Sequence, residues 1–237
     1  MAMGIVRIVV TGFGLLLPSV SASDPALDAA VRDTLLRNPE IILEALALLE
    51  ARDVAAQVAT DRSLIEQNAA ALFGDKDGEA PVLVEFIDYQ CSYCRQAEPQ
   101  VQALLAREPG TVRRVLQFPI LGEASVQAAL VMEALRQVEG EDAYLTAHHA
   151  LMSGDRRELQ NLPQFLLDQG FDPAPILAMA EDESIRSQIT TTHGLARTLG
   201  ISGTPGFVTS TVIIRGYADV ERLEAALTPQ DRGLAGD

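Results

Sequence analysis

Cysteine is scarce: the 237-residue chain has two. That excludes a disulfide-dense secreted scaffold and a four-cysteine zinc site within one chain. Basic residues are also few, 18 Lys and Arg against 33 Asp and Glu, for a net charge of −15. Nucleic acid and anionic membranes reward clustered Lys and Arg, so neither is expected as the main partner. After the first segment, no stretch approaches ~20 uninterrupted apolar residues, so the mature protein is expected to be soluble. What is present is ordinary: 48% hydrophobic and 22% charged residues. That composition argues against wholesale disorder. The length allows one or two domains with a substantial core.

Residues 1–22 read as an address. Arg7 is the single charge, an apolar run follows over 8–17, and Pro18 breaks it. Val20-Ser21-Ala22 supplies small residues for cleavage. This is the order of a secretory signal peptide, and Gly12 and Gly14 make the run a poor membrane span. Export places both cysteines where disulfides form.

Residues 23–73 predict a helical extension. Asp24-Pro25 has the pattern of an N-cap with proline at the first helical position. Asn38-Pro39-Glu40 restarts the helix with Asn38 as cap. Leu27, Val31, Leu35 and Leu36, then Ile41, Ile42, Leu46 and Leu49, give a wide apolar stripe with no neighbouring sheet to cover it. Docking on the downstream domain and self-association are the two uses of such a face. Residues 74–81 read as a linker.

A second unit starts at Val82. Residues 82–87 form a nearly continuous apolar run, as a buried parallel strand does, with Glu85 its one polar member. A helix is predicted over 94–107, kinked or restarted at Pro99, then a strand over 112–118. Helices are predicted over 125–138, 141–152, 162–169, 173–180 and 183–199. A single strand over 207–214 and a helix over 220–227 close the unit; 228–237 reads as a frayed tail. Strands separated by helices give an α/β class with a helical insertion at about 123–199.

Cys91-Ser92-Tyr93-Cys94 follows the first strand and opens a helix. The spacing lets the sulfurs meet across one turn. A helix N-terminus offers unpaired N–H groups and partial positive charge, which favour a thiolate at Cys91. Cys94, one turn inside, suits the resolving role in exchange through a mixed disulfide. Two other readings stand beside this one. The pair is half of a metal site completed by His148, His149, His193 or a second subunit, or it is an inert local disulfide. Gly203-Thr204-Pro205 lies in a loop before the last strand. A cis proline there leaves the preceding backbone open to an extended peptide, and the isomer is not fixed by sequence. Glu85, in a strand expected to be buried, is a candidate proton relay; the alternative is a carboxylate facing solvent at a strand edge. His148, His149 and His193 read as surface or partly buried helix residues. Phe165 and Phe171 read as core, and the acidic runs at 139–142 and 181–183 as solvated helix ends.

Together, Phe86-Ile87-Asp88-Tyr89-Gln90-Cys91-Ser92-Tyr93-Cys94-Arg95, Phe118-Pro119-Ile120-Leu121-Gly122 with Ser125 and Ala128-Ala129, and Leu199-Gly200-Ile201-Ser202-Gly203-Thr204-Pro205 resemble the thioredoxin-like superfamily. Within it they resemble the DsbA-like branch of bacterial periplasmic thiol-disulfide oxidoreductases, over roughly residues 80–227. The resemblance implies Cys91 as nucleophile, Cys94 as resolving cysteine, Pro205 as cis proline and Glu85 as buried acid. It also implies a thioredoxin-like fold with an inserted helical domain. The helices of 23–73 are similar to the N-terminal extension of the suppressor-of-copper-sensitivity C subgroup, where such an extension can mediate oligomerisation. Ser92-Tyr93 departs from the Pro-His of strongly oxidising members, and Tyr93 cannot support a thiolate by charge. Thr204 is similar to the residue of isomerases and reductases. Gly206 replaces the usual alanine and is expected to loosen the loop.

The expected function is therefore a periplasmic enzyme acting on disulfides of exported proteins, leaning to isomerase or reductase, with Gly203, Thr204, Pro205, Ser92 and Tyr93 at the substrate. A DsbA-type oxidase, a Cu(I)-handling dithiol protein and a chaperone-like scaffold are the alternatives. No cofactor and no resident metal are expected. Expected partners are unfolded or misoxidised exported proteins, a membrane redox partner that recycles the dithiol, and a second copy of the chain.

Overall fold

The computed structural model describes residues 24–74 and 80–228. Residues 1–22, read above as a signal peptide, most of the expected 74–81 linker and the expected tail beyond 228 lie outside the described residues. The chain divides into two compact units, Met1–Asp53 and Val54–Asp237.

The first unit holds α1 (Pro25–Arg37) and the start of α2 (Glu40–Gln67). Asp24 caps α1 through its carboxylate, which accepts from Ala26 N at 2.9 Å, and Pro25 opens the helix. Asn38 closes α1 instead of capping α2: its backbone N–H and side-chain amide both donate to Thr34 O, at 3.0 and 2.9 Å. No residue of α1 is buried, and Leu27, Leu36, Leu43, Leu46 and Leu49 are all at least half exposed.

The second unit is built on a four-stranded sheet in the order β2-β1-β3-β4, with β1 Val82–Ile87, β2 Val112–Gln117, β3 Gly206–Val208 and β4 Ile213–Arg215. β1 runs parallel to β2 and antiparallel to β3; β3 and β4 are antiparallel. The predicted single strand 207–214 is thus a hairpin. Its turn has no glycine or proline to announce it. The Thr209 hydroxyl closes it by accepting from Val212 N at 3.2 Å and donating to Ala226 O at 2.8 Å.

Helices cover both faces, which is why β1 is apolar on both sides. Leu83, Phe207 and Ile214 pack with residues of α4 (Ser92–Arg107) and α10 (Val220–Leu227). Val84, Phe86 and Val208 pack with Ile65 of α2, Leu72 of α3 (Ala69–Phe73) and Ala196 of α9 (Glu183–Thr198). α4 runs unbroken through Pro99. Between β2 and β3 lie α5 (Glu123–Glu139), α6 (Glu141–Ser153), a 3₁₀ turn at Arg156–Gln160, α7 (Leu162–Asp168), α8 (Pro173–Ala180) and α9. Their apolar faces form one cluster that includes Ile87, Tyr89, Cys91 and Cys94. Phe165 belongs to this core and Phe171 packs half-buried against it.

Candidate active site

Cys91 is the N-cap residue of α4, with extended backbone (φ −74°, ψ 120°), so its sulfur sits at the helix start. Its N–H donates to Asp88 O at 3.0 Å. The Asp88 side chain, 1% exposed, accepts from Gln90 N at 2.8 Å, Ile120 N at 2.8 Å and Leu121 N at 3.0 Å. One buried carboxylate therefore ties the cysteine loop to the loop after β2.

Both cysteines are free thiols. Cys91 and Cys94 are both buried, and Tyr93 between them is 58% exposed. The Thr204-Pro205 peptide is cis, and a protonated Cys91 Sγ donates to Thr204 O at 3.2 Å. The Cys91 thiol is lowered to about 5. The hydrogen bond from the Cys94 thiol is the main cause, and the Thr204 side chain and the N–H groups of Cys94 and Tyr93 add to it, against the opposing effect of burial. Cys94 moves the other way: burial, then the neighbouring Cys91, push its thiol far up. At neutral pH the pair is one thiolate and one thiol. Such a pair can attack a disulfide with the first sulfur and close on it with the second.

Gly203 stands exposed at the tip of the loop, with open space where a Cβ would be. Gly206 does not loosen this loop. It is a buried member of β3 paired with Phe86 and Arg215, and a Cβ there would meet Ile201 Cγ2 at 2.9 Å. Ile201 fills the space that alanine would take.

Glu85 lies on the face of β1 beneath α4, 3% exposed. Both its oxygens are held by Arg113 of β2, at 2.6 Å from Nε and 3.1 Å from Nη2. Burial pushes its carboxyl up, and Arg113 opposes that. Arg113 also bonds Glu98 of α4, at 2.6 and 3.2 Å, and contacts His148 Nε2 at 3.0 Å. His148 is fully buried, contrary to the surface or partly buried position expected for it, because it fills the space between α4, β2 and the Tyr89 loop. Its Nδ1 lies 3.0 Å from Tyr89 OH, and Tyr144 OH lies 3.4 Å beyond. Burial holds the His148 imidazole at about 4, so it is neutral at pH 7.

Glu98 and Arg113 were not singled out by sequence, and His148 and Asp88 were named there without these contacts. Glu98 carried a signal: it falls four residues after Cys94 on the same buried stripe of α4. Arg113 carried a weaker one, the alternation of Arg113, Val115 and Gln117 as the buried positions of β2. His193 packs edge-on against Phe118 at 4.8 Å. Among the described residues no group of three or more His, Cys, Asp and Glu is arranged to hold a metal ion.

A parallel–antiparallel sheet with a CxxC at the helix start and a cis proline opposite defines a thioredoxin-like protein. The family model described as Thioredoxin matches residues 68–228, and the chain belongs to that family. Within it, the chain is of the DsbA- and ScsC-like kind: residues 26–56 match the model described as the copper resistance protein ScsC N-terminal domain. BcfH from Salmonella enterica Typhimurium is 27% identical, with 85% of this chain and 93% of that one covered and a TM-score of 0.66. Proteus mirabilis ScsC in a transitional conformation is 26% identical, covering 85% and 94%, with a TM-score of 0.60. A periplasmic thioredoxin-like protein from Salmonella enterica serovar Typhimurium is 27% identical, covering 67% and 92%, with a TM-score of 0.57. Among curated proteins, Na(+)/H(+) antiporter NhaA 3 of Salinispora tropica is 29% identical over 164 residues. That match takes in 63% of this chain but only 23% of the antiporter, so the chain spans under a quarter of that relative's length. Among the described residues no helix is long and apolar enough to cross a membrane.

Proposed function

We propose that the protein is a periplasmic thiol-disulfide oxidoreductase acting on disulfides of exported proteins, in the isomerase or reductase direction. The observation that carries the thiol chemistry is the opposed pair: Cys91 lowered to about 5 at the start of α4, and Cys94 buried and raised one turn on. Cys91 attacks a client disulfide and forms a mixed disulfide. Cys94 then attacks Cys91 Sγ, and the client sulfur leaves with the electron pair. The client backbone lies extended along Gly203, Thr204 and Pro205, with Ser92 and Tyr93 beside the reacting sulfurs. Glu85 is the proton acceptor assigned to the buried side of the pair; its raised carboxyl and its place beneath α4 support that role.

The direction rests on Ser92-Tyr93, which brings no cationic charge to the thiolate, and on Thr204 before the proline. One observation favours the oxidase reading. A Cys91 thiol at about 5 falls between the values typical of thioredoxin, about 7, and of DsbA, about 3.5. Equilibration in glutathione buffers decides between them. An isomerase or reductase is expected to settle well below the oxidising extreme, and a value near roughly −120 mV assigns the protein to the oxidases. The 1–22 segment and the similarity to a periplasmic thioredoxin-like protein support the location. A membrane redox partner would recycle the dithiol. Self-association through residues 23–73 would place several sites on one particle, which suits a client that must be held while its bonds are reshuffled.

A further inference from the structure

The resolving step requires a proton to leave Cys94, a residue 4% exposed. Glu98 follows Cys94 by one helical turn on the buried face of α4. Around Glu98 the structure places an unbroken line of polar contacts that ends in water. Glu98 Oε1 lies 2.7 Å from His149 Nδ1, and the His149 side chain is 49% exposed. His149 lines a surface cleft of about 500 Å³ together with Gln102, Thr111, Leu145 and the buried Arg113. Thr111 Oγ1, buried without a protein partner, lies in the same residue set. On its inner side Glu98 Oε2 lies 3.4 Å from His148 Nε2, and His148 Nδ1 reaches Tyr89 OH.

We propose that the buried Glu98–Arg113–His148 cluster exchanges protons with solvent through His149, and that His149 thereby sets the rate at which Cys94 resolves a mixed disulfide. This deepens the thiol-exchange function proposed above and rests on it. A proton on Glu98 Oε1 passes to His149 Nδ1, and the ring releases one to the cleft from Nε2. Glu98 passes protons on rather than keeping them: burial alone would raise its carboxyl, but hydrogen bonds from His148 and Arg113 hold it far below the usual range. The groups facing this cluster are Glu85 from β1, Tyr89 from the loop after it, Arg113 from β2, Arg136 from α5 and Tyr144 from α6. Arg113 is fixed as a cation between the two carboxylates, so it does not carry the proton. His149 touches no reacting atom and is a positioning residue for the proton.

The chemical balance is that of a disulfide exchange. The Cys94 proton passes to the buried carboxylates and leaves through Glu98 and His149, the Cys94 sulfur bonds Cys91 Sγ, the bond from Cys91 to the leaving sulfur breaks, and the leaving sulfur takes the electron pair. The aromatic disulfide DTNB isolates this step. Attack by Cys91 releases a first thionitrobenzoate, and attack by Cys94 releases the second, which leaves as the anion and takes no proton with it. In the full-length protein, His149→Ala is expected to leave the first release unchanged and to slow the second roughly tenfold or more. Free imidazole, small enough for the cleft, is expected to restore the second release in proportion to its concentration. An equal concentration of a non-titrating salt is expected to have no effect. His149→Gln keeps a polar side chain without a titrating ring and is expected to behave as His149→Ala does. A second release at the wild-type rate in both variants, or one that is slow and insensitive to imidazole, overturns the His149 route. Absence of the first release in the wild type overturns the thiol-exchange function itself.

Discussion

Cys91 and Cys94 lie three positions apart, and their surroundings push them in opposite directions. Cys91 gathers donors at a helix start; Cys94 gathers mainly burial and a neighbouring thiolate. The Cys91 thiol is lowered from 9.0 to about 5 in the folded chain. A depressed thiol adds stability that is fully present above the unfolded value and is lost as pH falls through the folded one. The reduced protein is therefore expected to gain stability over Cys91→Ser as pH rises from 5 towards 9, and to lose that advantage below 5. Thiolate absorbance against pH, with urea unfolding of both proteins, checks this; a midpoint near 8 to 9, about the range of an unperturbed thiol, contradicts it. The two cysteines were readable because the chemistry requires them three apart at the start of a helix. Glu85 stood out as the polar member of an apolar strand. Its partner Arg113 did not, and neither did the link from Arg113 to His148, because Arg113 and His148 lie 28 and 63 residues further along the chain and meet only when β2 and α6 pack against α4.

Several elements begin or end at a single residue of the type that marks such boundaries, although Asn38 and Pro99 did not act as expected. Asp24-Pro25 opens α1, Gly140 separates α5 from α6, and Asp182 caps α9. Elements departed from the sequence pattern where tertiary contacts decide. The β-branched run 207–214 is broken by a threonine hydroxyl reaching α10, which no local propensity encodes. A second tertiary device joins α2 to the sheet. Arg215 of β4 donates to Asp61 Oδ1 and Oδ2 at 2.8 Å each, and to Leu199 O and Gly200 O at 2.7 and 3.0 Å. It therefore holds the end of α2 and the start of the loop that carries Thr204. Burial raises the Asp61 carboxyl, but the bonds from Arg215 and Gln57 outweigh it and lower it overall. Arg215→Met leaves the buried Asp61 carboxylate without its cation, with Gln57 still bonded to it, and is expected to cost about 1–2 kcal/mol in urea unfolding, towards the low end because Arg215 is partly exposed. Unchanged stability would show that the pair is not holding the helix.

At the scale of the whole molecule, the first unit leaves an apolar surface uncovered. α1 and the first half of α2 expose Leu27, Val31, Leu36, Leu43, Leu46, Leu48 and Leu49, more than scattered surface leucines require. Self-association of this unit would bury them. Leu36→Glu with Leu43→Glu is then expected to reduce the mass in sedimentation to that of a single chain, with DTNB reactivity retained; a mass unaffected by the charges removes the unit from any assembly. The account as a whole stands on Cys91 as the attacking sulfur and Cys94 as the one that releases it. Trapping tests this most directly. Cys94→Ser, mixed with a disulfide-bonded client peptide, is predicted to accumulate a covalent adduct through Cys91 that a reductant removes and that the wild type does not retain. No adduct with Cys94→Ser, or an adduct that persists when Cys91 is also replaced by serine, would contradict it.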